Sequence, residues 1–177
     1  MAKLKPPISN KDHIQGNPEA SVELVEYGDY QCPYCGQAYP VIKSIQAKMG
    51  DKLKFVFRNF PLSEIHQRAA YAAVAAEAAG FQDKFWEMHD ILFENQRNLQ
   101  DEDLIKYAEQ LNLNMKKFQE DFRNREYREK VESDFESGVR SGVNATPSFF
   151  INGAKYEGSL ENMVHHLENL IYPSAKG

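Results

Sequence analysis

At 177 residues, with 21 Lys and Arg against 26 Asp and Glu and a formal net charge of -5, the chain has the size of one domain. A chain this long buries roughly 70% of the surface it exposes when unfolded, so it folds without disulfide staples or structural metal. The acidic balance, with no basic run, excludes a general field for nucleic acid or anionic lipid, and no window approaches the ~20 apolar residues of a membrane span.

Met1 to Ala20 is polar and broken by Pro6, Pro7, Gly16 and Pro18, and reads as an arm. It holds no apolar h-region, so the chain as written is expected in the cytoplasm, or in the periplasm or another extracytoplasmic space if a signal was removed. Ser21 to Tyr27 is a β-rich run, expected as a central strand, closed by Gly28-Asp29. Cys32-Pro33-Tyr34-Cys35 comes at once after it, then a helical pattern through Val41, Ile42, Ile45 and Met49 that stops at Gly50. Leu53 to Phe57 is a second strand, and strand-helix-strand at this spacing implies a right-handed parallel crossover.

From Glu64 to Ser141 the chain reads as helix: Glu64 to Ala79, Asp83 to Asn95, Asp101 to Leu111, Met115 to Phe122, and a last helix striped by Tyr127, Val131, Phe135 and Val139. Its aromatics are expected to pack a helical layer. After Thr146-Pro147, Ser148 to Ile151 and Ala154 to Tyr156 flank Asn152-Gly153, the strongest short-range hairpin signal. Ser159 then caps an amphipathic helix carrying Met163, Val164, Leu167, Leu170 and Ile171. The expected architecture is α/β, β-α-β followed by β-β-α around a mixed sheet. Residues 1–20 form the arm, 21–63 and 142–173 the frame, and 64–141 a helical insertion of 78 residues. Without heptads the chain is expected to be a monomer.

Two cysteines at i and i+3 meet across one helical turn. As a staple they are poor, since closing so short a loop gains only roughly 2 kcal/mol. Zinc needs four ligands, and His13, His66, His89, His165 and His166 are scattered, so no metal is expected. Placement favours chemistry: at the start of a helix, free N–H groups and the dipole stabilise a thiolate, and Pro33 suits that turn. Cys32 is expected to be the exposed nucleophile and Cys35 the resolving thiol. Such a pair exchanges two electrons with protein thiols or disulfides through a mixed disulfide on Cys32, with no other cofactor.

A CxxC at a strand-to-helix junction, with Thr-Pro before a ββα half, is similar to the thioredoxin fold, and the long helical insert resembles the DsbA-like branch of thiol-disulfide oxidoreductases. The resemblance spans Ser21 to Tyr172 and includes Phe85-Trp86-Glu87-Met88 and Thr146-Pro147-Ser148-Phe149. It implies a cis Thr146-Pro147 bond beside the cysteines, with Pro33, Tyr34, Thr146 and Pro147 meeting the substrate. It also implies a buried Glu26 that moves the Cys35 proton. Arg58 is expected to be a surface charge rather than a site cation, and His66 and His89 to be surface or core histidines. The Pro33-Tyr34 dipeptide matches that of glutaredoxins, so the recycling agent is either an unidentified redox partner or glutathione. The alternatives are a glutathione-linked reductase and a non-catalytic chaperone-like module. Cys32 argues against the isomerase branch, which usually uses a serine nucleophile.

Overall fold

The computed structural model describes residues 1–174. Five strands form one mixed sheet in the order β1-β3-β2-β4-β5: β1 (His13–Gly16), β2 (Val22–Gly28), β3 (Leu53–Asn59), β4 (Ser148–Ile151) and β5 (Ala154–Tyr156). Among the described residues only β2 and β3 run parallel, joined by helix α1 (Pro33–Met49), as the strand-helix-strand spacing requires. Helices α2 (Ala69–Gly80), α3 (Phe85–Glu94), α4 (Asp101–Gln110), α5 (Met115–Arg123) and α6 (Arg125–Arg140) stand between β3 and β4, and α7 (Leu160–Ile171) ends the fold. The expected α/β fold with a helical insertion is the one observed.

The two-residue period of a strand divides the core. Leu24, Phe55, Phe57, Phe149 and Ile151 face a large apolar layer that includes α1 and α7. Val25, Tyr27, Val56 and Phe150 point the other way, onto Phe60, Val143 and Phe135. With both faces covered, β2 is central, and Glu26 lies on the Leu24 face that meets α1. Helix α2, eight of whose twelve residues are alanine, is buried on nearly every side, since small side chains let α3 and α6 approach its backbone closely. The Asn152-Gly153 turn has φ values of 47° and 83°, the left-handed pair that a two-residue hairpin needs. Ser159 accepts a hydrogen bond from Asn162 N, as an N-cap should.

Several sequence expectations need correction. The arm contains β1, which pairs antiparallel with β3 from His13↔Phe57 to Gly16↔Lys54; four polar-leaning residues carry no alternation to betray a strand. Helix α2 begins at Ala69 instead of Glu64, because residues 62–66 are held in turns by hydrogen bonds to Asp29. The α6 stripe ends at Phe135, and Val139 is 56% exposed. Arg58 is not a surface charge: only 3% exposed, it donates to both Asp12 carboxylate oxygens (2.8 and 2.9 Å), to the Pro6 carbonyl and to Tyr27 Oη, fastening the arm under the sheet. Its partner Asp12 lies in a segment too irregular to be paired with it from sequence.

Candidate active site

The chain leaves β2 through Gly28 and Asp29, and the Asp29 side chain, fully buried, organises the turn into α1. Its Oδ1 accepts from Gln31 N (2.7 Å) and Cys32 N (3.1 Å), an Asx turn that sets Cys32 as the N-cap of α1 with Pro33 next. Its Oδ2 accepts from Leu62 N (2.9 Å) and pairs with His66 Nδ1 (2.7 Å). Across the turn, Gln96 from the α3–α4 connection donates Nε2 to the carbonyls of Tyr30 (3.0 Å) and Cys32 (2.9 Å). Gly36 leaves room for it, since a Cβ there would stand 2.1 Å from Gln96 Oε1.

Both cysteines are free and buried, Cys32 at 3% exposure and Cys35 at 0%. The expected exposed nucleophile is therefore a covered one. The loop before β4 lies over it: Cys32 Sγ is 3.6 Å from the Thr146 carbonyl oxygen, a contact that suits the protonated sulfur. The Thr146 side chain, itself buried, reaches the sulfur as well and favours the thiolate. The Thr146-Pro147 bond is cis. A cleft of about 330 Å³ opens beside Pro147, floored by Phe149, Tyr156 and Leu160, while Pro33 and Tyr34, next to Cys32 in the chain, are exposed to solvent.

The electrostatics separate the two thiols. Cys32 is lowered to about 5, chiefly by a hydrogen bond from the Cys35 thiol, then by Thr146 and the backbone N–H groups of Cys35 and Tyr34, all working against its burial. Cys35 is pushed far up, first by burial, then by its bond to Cys32 and the negative charges of Glu26 and Cys32. Glu26, 2% exposed with Oε1 unpartnered, is raised to about 8 by burial and by the Cys32 charge. At neutral pH the arrangement holds a thiolate at Cys32, a thiol at Cys35 and a largely protonated carboxyl behind them.

Thus Cys32, Cys35, Glu26, Thr146 and Pro147 converge, with Pro33 and Tyr34 at the rim. Arg58 sits on the opposite side of the sheet layer and takes no part. His89 is a core histidine bonded to Tyr30 Oη (2.9 Å), and its burial keeps it neutral. Sequence reasoning passed over Asp29, His66 as its partner, and Gln96. An Asp three residues before a helix-start Cys is a readable Asx signal. Gln96, 64 residues from Cys32, carries none.

The thioredoxin family profile matches residues 9–169. The chain belongs to the thioredoxin family. Among solved structures it is similar to BdbD from Bacillus subtilis, with a TM-score of 0.81 and 25% identity over 96% of this chain and 98% of that one. It is also similar to alpha-DsbA1 from Wolbachia pipientis, with a TM-score of 0.79 and 23% identity over 93% and 92% of the two chains. The fold, helical insertion included, is shared with these structures. In sequence it is 42% identical over 156 residues to the Na(+)/H(+) antiporter NhaA 1 of Salinispora arenicola, covering 88% of this chain and 24% of that protein. The chain therefore spans about a quarter of the length of such relatives. No helix among its described residues is long and apolar enough to cross a membrane.

Proposed function

We propose that this thioredoxin-family chain exchanges disulfides with protein cysteines through Cys32 and Cys35. One observation carries the reading: two thiols one helical turn apart are driven in opposite directions, Cys32 towards the thiolate and Cys35 towards the thiol. In the oxidising direction, a substrate thiolate attacks Cys32 Sγ of the Cys32–Cys35 disulfide. The S–S bond breaks and its electron pair goes to Cys35, which takes a proton from Glu26. A second substrate thiolate then attacks the substrate sulfur of the mixed disulfide and releases Cys32 as thiolate. The substrate leaves oxidised by two electrons and the pair is left reduced. Thr146 and Pro147 line one wall of the approach, Pro33 and Tyr34 the other.

Stabilising the Cys32 thiolate stabilises the dithiol form, which makes the disulfide the better oxidant. A nucleophile near 5 stands between those of weak and strong oxidants, so the pair is expected at roughly -200 mV. A protein disulfide oxidant works outside the reducing cytoplasm, and a disulfide partner or glutathione recycles it. Equilibration with glutathione buffers tests the direction; a potential at or below about -270 mV would overturn it. Cys32→Ser is expected to abolish exchange, and Cys35→Ala to accumulate a mixed disulfide visible by mass spectrometry. Full turnover by Cys32→Ser would remove the mechanism.

A further inference from the structure

A groove of about 970 Å³ lies between the β3–α2 connection, α2 and the facing side of α5 and α6. Its floor is apolar: Leu62, Val74, Phe122, Val131 and Phe135. Ile65 at 71% exposure and Tyr71 at 43% stand in it open to water, two of the eight exposed large hydrophobic side chains among the described residues gathered in one place. Such side chains cost solvation unless something covers them.

The lip of the groove is tied to the nucleophile. Asp29 holds Leu62 N and His66 on one carboxylate oxygen and Cys32 N on the other. One carboxylate thus keeps the backbones of Cys32 and Leu62 within about 8 Å of each other, a distance an extended peptide crosses in about three residues. The rim adds a sign. Glu64, Glu132 and Glu136 border the groove against one cation, Arg128, and Glu64 and Glu132 have no ion-pair partner among the described residues.

We propose that this groove is a second subsite for the polypeptide substrate, taking an apolar side chain three to five residues from the reacting cysteine, with Lys or Arg beside it to meet the acidic rim. The inference rests on the thiol-exchange reading and adds to it a substrate class: apolar segments with basic flanks. It is separate from the Pro147 cleft, which shares no residue with it.

The test uses the full chain carrying Cys35→Ala, so that Cys32 reacts once. Two ten-residue peptides each present one cysteine as a mixed disulfide with thionitrobenzoate. Both place Leu-Phe four residues from the cysteine, flanked by Lys-Lys in one and Glu-Glu in the other. The Cys32 thiolate attacks the peptide sulfur, the bond to thionitrobenzoate breaks, and the coloured thiolate leaves, with no outside oxidant. The rate with 5,5′-dithiobis(2-nitrobenzoate), which has no peptide, normalises each protein for Cys32 reactivity. The lysine peptide is expected to react about tenfold faster than the glutamate peptide after normalisation. Ile65→Asp should lower the lysine peptide's normalised rate about tenfold, through loss of apolar cover. Glu132→Lys should narrow the gap between the two peptides to about threefold or less. Equal peptide rates in the parent protein, or a preference untouched by both substitutions, would overturn the groove. A concentration-dependent dimer dispersed by Ile65→Asp would overturn it too, because a second copy would be the occupant. No reaction even with the small disulfide would instead bring down the thiol-exchange reading beneath it.

Discussion

Glu26 and Glu77 are both buried glutamates, 2% and 6% exposed, yet they face opposite fates. Glu77 meets His13 Nε2 at 2.8 Å and accepts from Asn59 Nδ2 at 2.9 Å, in a seam that continues through Asp134 to Lys130. Although burial alone raises it, those partners hold its carboxyl below the usual value. Glu26 has burial and a neighbouring thiolate but no partner for Oε1, and is raised to about 8. The seam where insertion, arm and sheet meet neutralises each buried charge and so serves stability. The cysteine end leaves one acid uncompensated, and that cost produces a group able to give up a proton near neutral pH.

The largest test of this contrast is Arg58→Ala. It strips the buried Asp12 carboxylate of its guanidinium and leaves the arm's carbonyls unmet, an expected loss of about 3 to 5 kcal/mol in urea unfolding. Cys32 alkylation should keep its pH midpoint, since Arg58 lies beside Tyr27 on the sheet face away from the cysteines. A shifted midpoint would mean that the two regions are not independent.

The two glutamates then predict opposite pH signs. Glu26 has a folded value above its unfolded one. Its contribution to stability is complete below about pH 4.5 and is lost as pH rises to about 8. Glu26→Gln should remove that loss, so the variant is more stable than the parent at pH 9 by about 3 to 5 kcal/mol and similar to it at pH 4. It should also slow resolution of the mixed disulfide at least about tenfold at pH 7, because Cys35 loses its proton partner. Glu77 is lowered, so its contribution is present above about pH 4.5 and disappears as pH falls. Glu77→Gln should cost about 2 kcal/mol at pH 7 and little at pH 3. Urea titrations across this range decide both; parallel curves for the two variants would sink the contrast.

A smaller effect belongs to Thr146. Thr146→Val removes one donor to the Cys32 thiolate, and the alkylation midpoint should rise from about 5 by up to about one unit. No rise would assign the low value to Cys35 and the backbone alone.

The frame was legible because its signals are local. The CxxC after a β-rich run, Asn152-Gly153 and Ser159 each determine their own few residues. The cysteine pair and Thr146-Pro147 were readable as a site for the same reason, given the resemblance. What escaped depends on the far ends of the chain meeting. β1 is four residues that form a strand only because β3 offers an edge, and Arg58 becomes internal only when Asp12 and Pro6 fold over it. Cys32 looked exposed because nothing near it in sequence announces the Thr146 loop that covers it. Residues 64–68 have helical composition, but the bonds of Leu62 N and His66 to Asp29, and of Arg68 N to Gln31, keep the chain there in turns.

Gln96 gives the smallest effect and the sharpest test of such long-range fit. Its amide bridges the Tyr30 and Cys32 carbonyls, and its Oε1 lies over Gly36, where a Cβ would intrude to 2.1 Å. Gln96→Ala should cost about 1 to 2 kcal/mol, limited because the site is partly open and water replaces some of the bonding. Gly36→Ala should destabilise the parent, since the amide must give way. With Gln96→Ala in place that obstruction is gone, and alanine in the first turn of α1 should stabilise by up to about 1 kcal/mol through helix propensity. A double-mutant cycle in urea therefore expects the sign of Gly36→Ala to reverse between backgrounds, with coupling of at least about 1 kcal/mol. Additive effects would mean that the insertion rests against the cysteine turn without holding it.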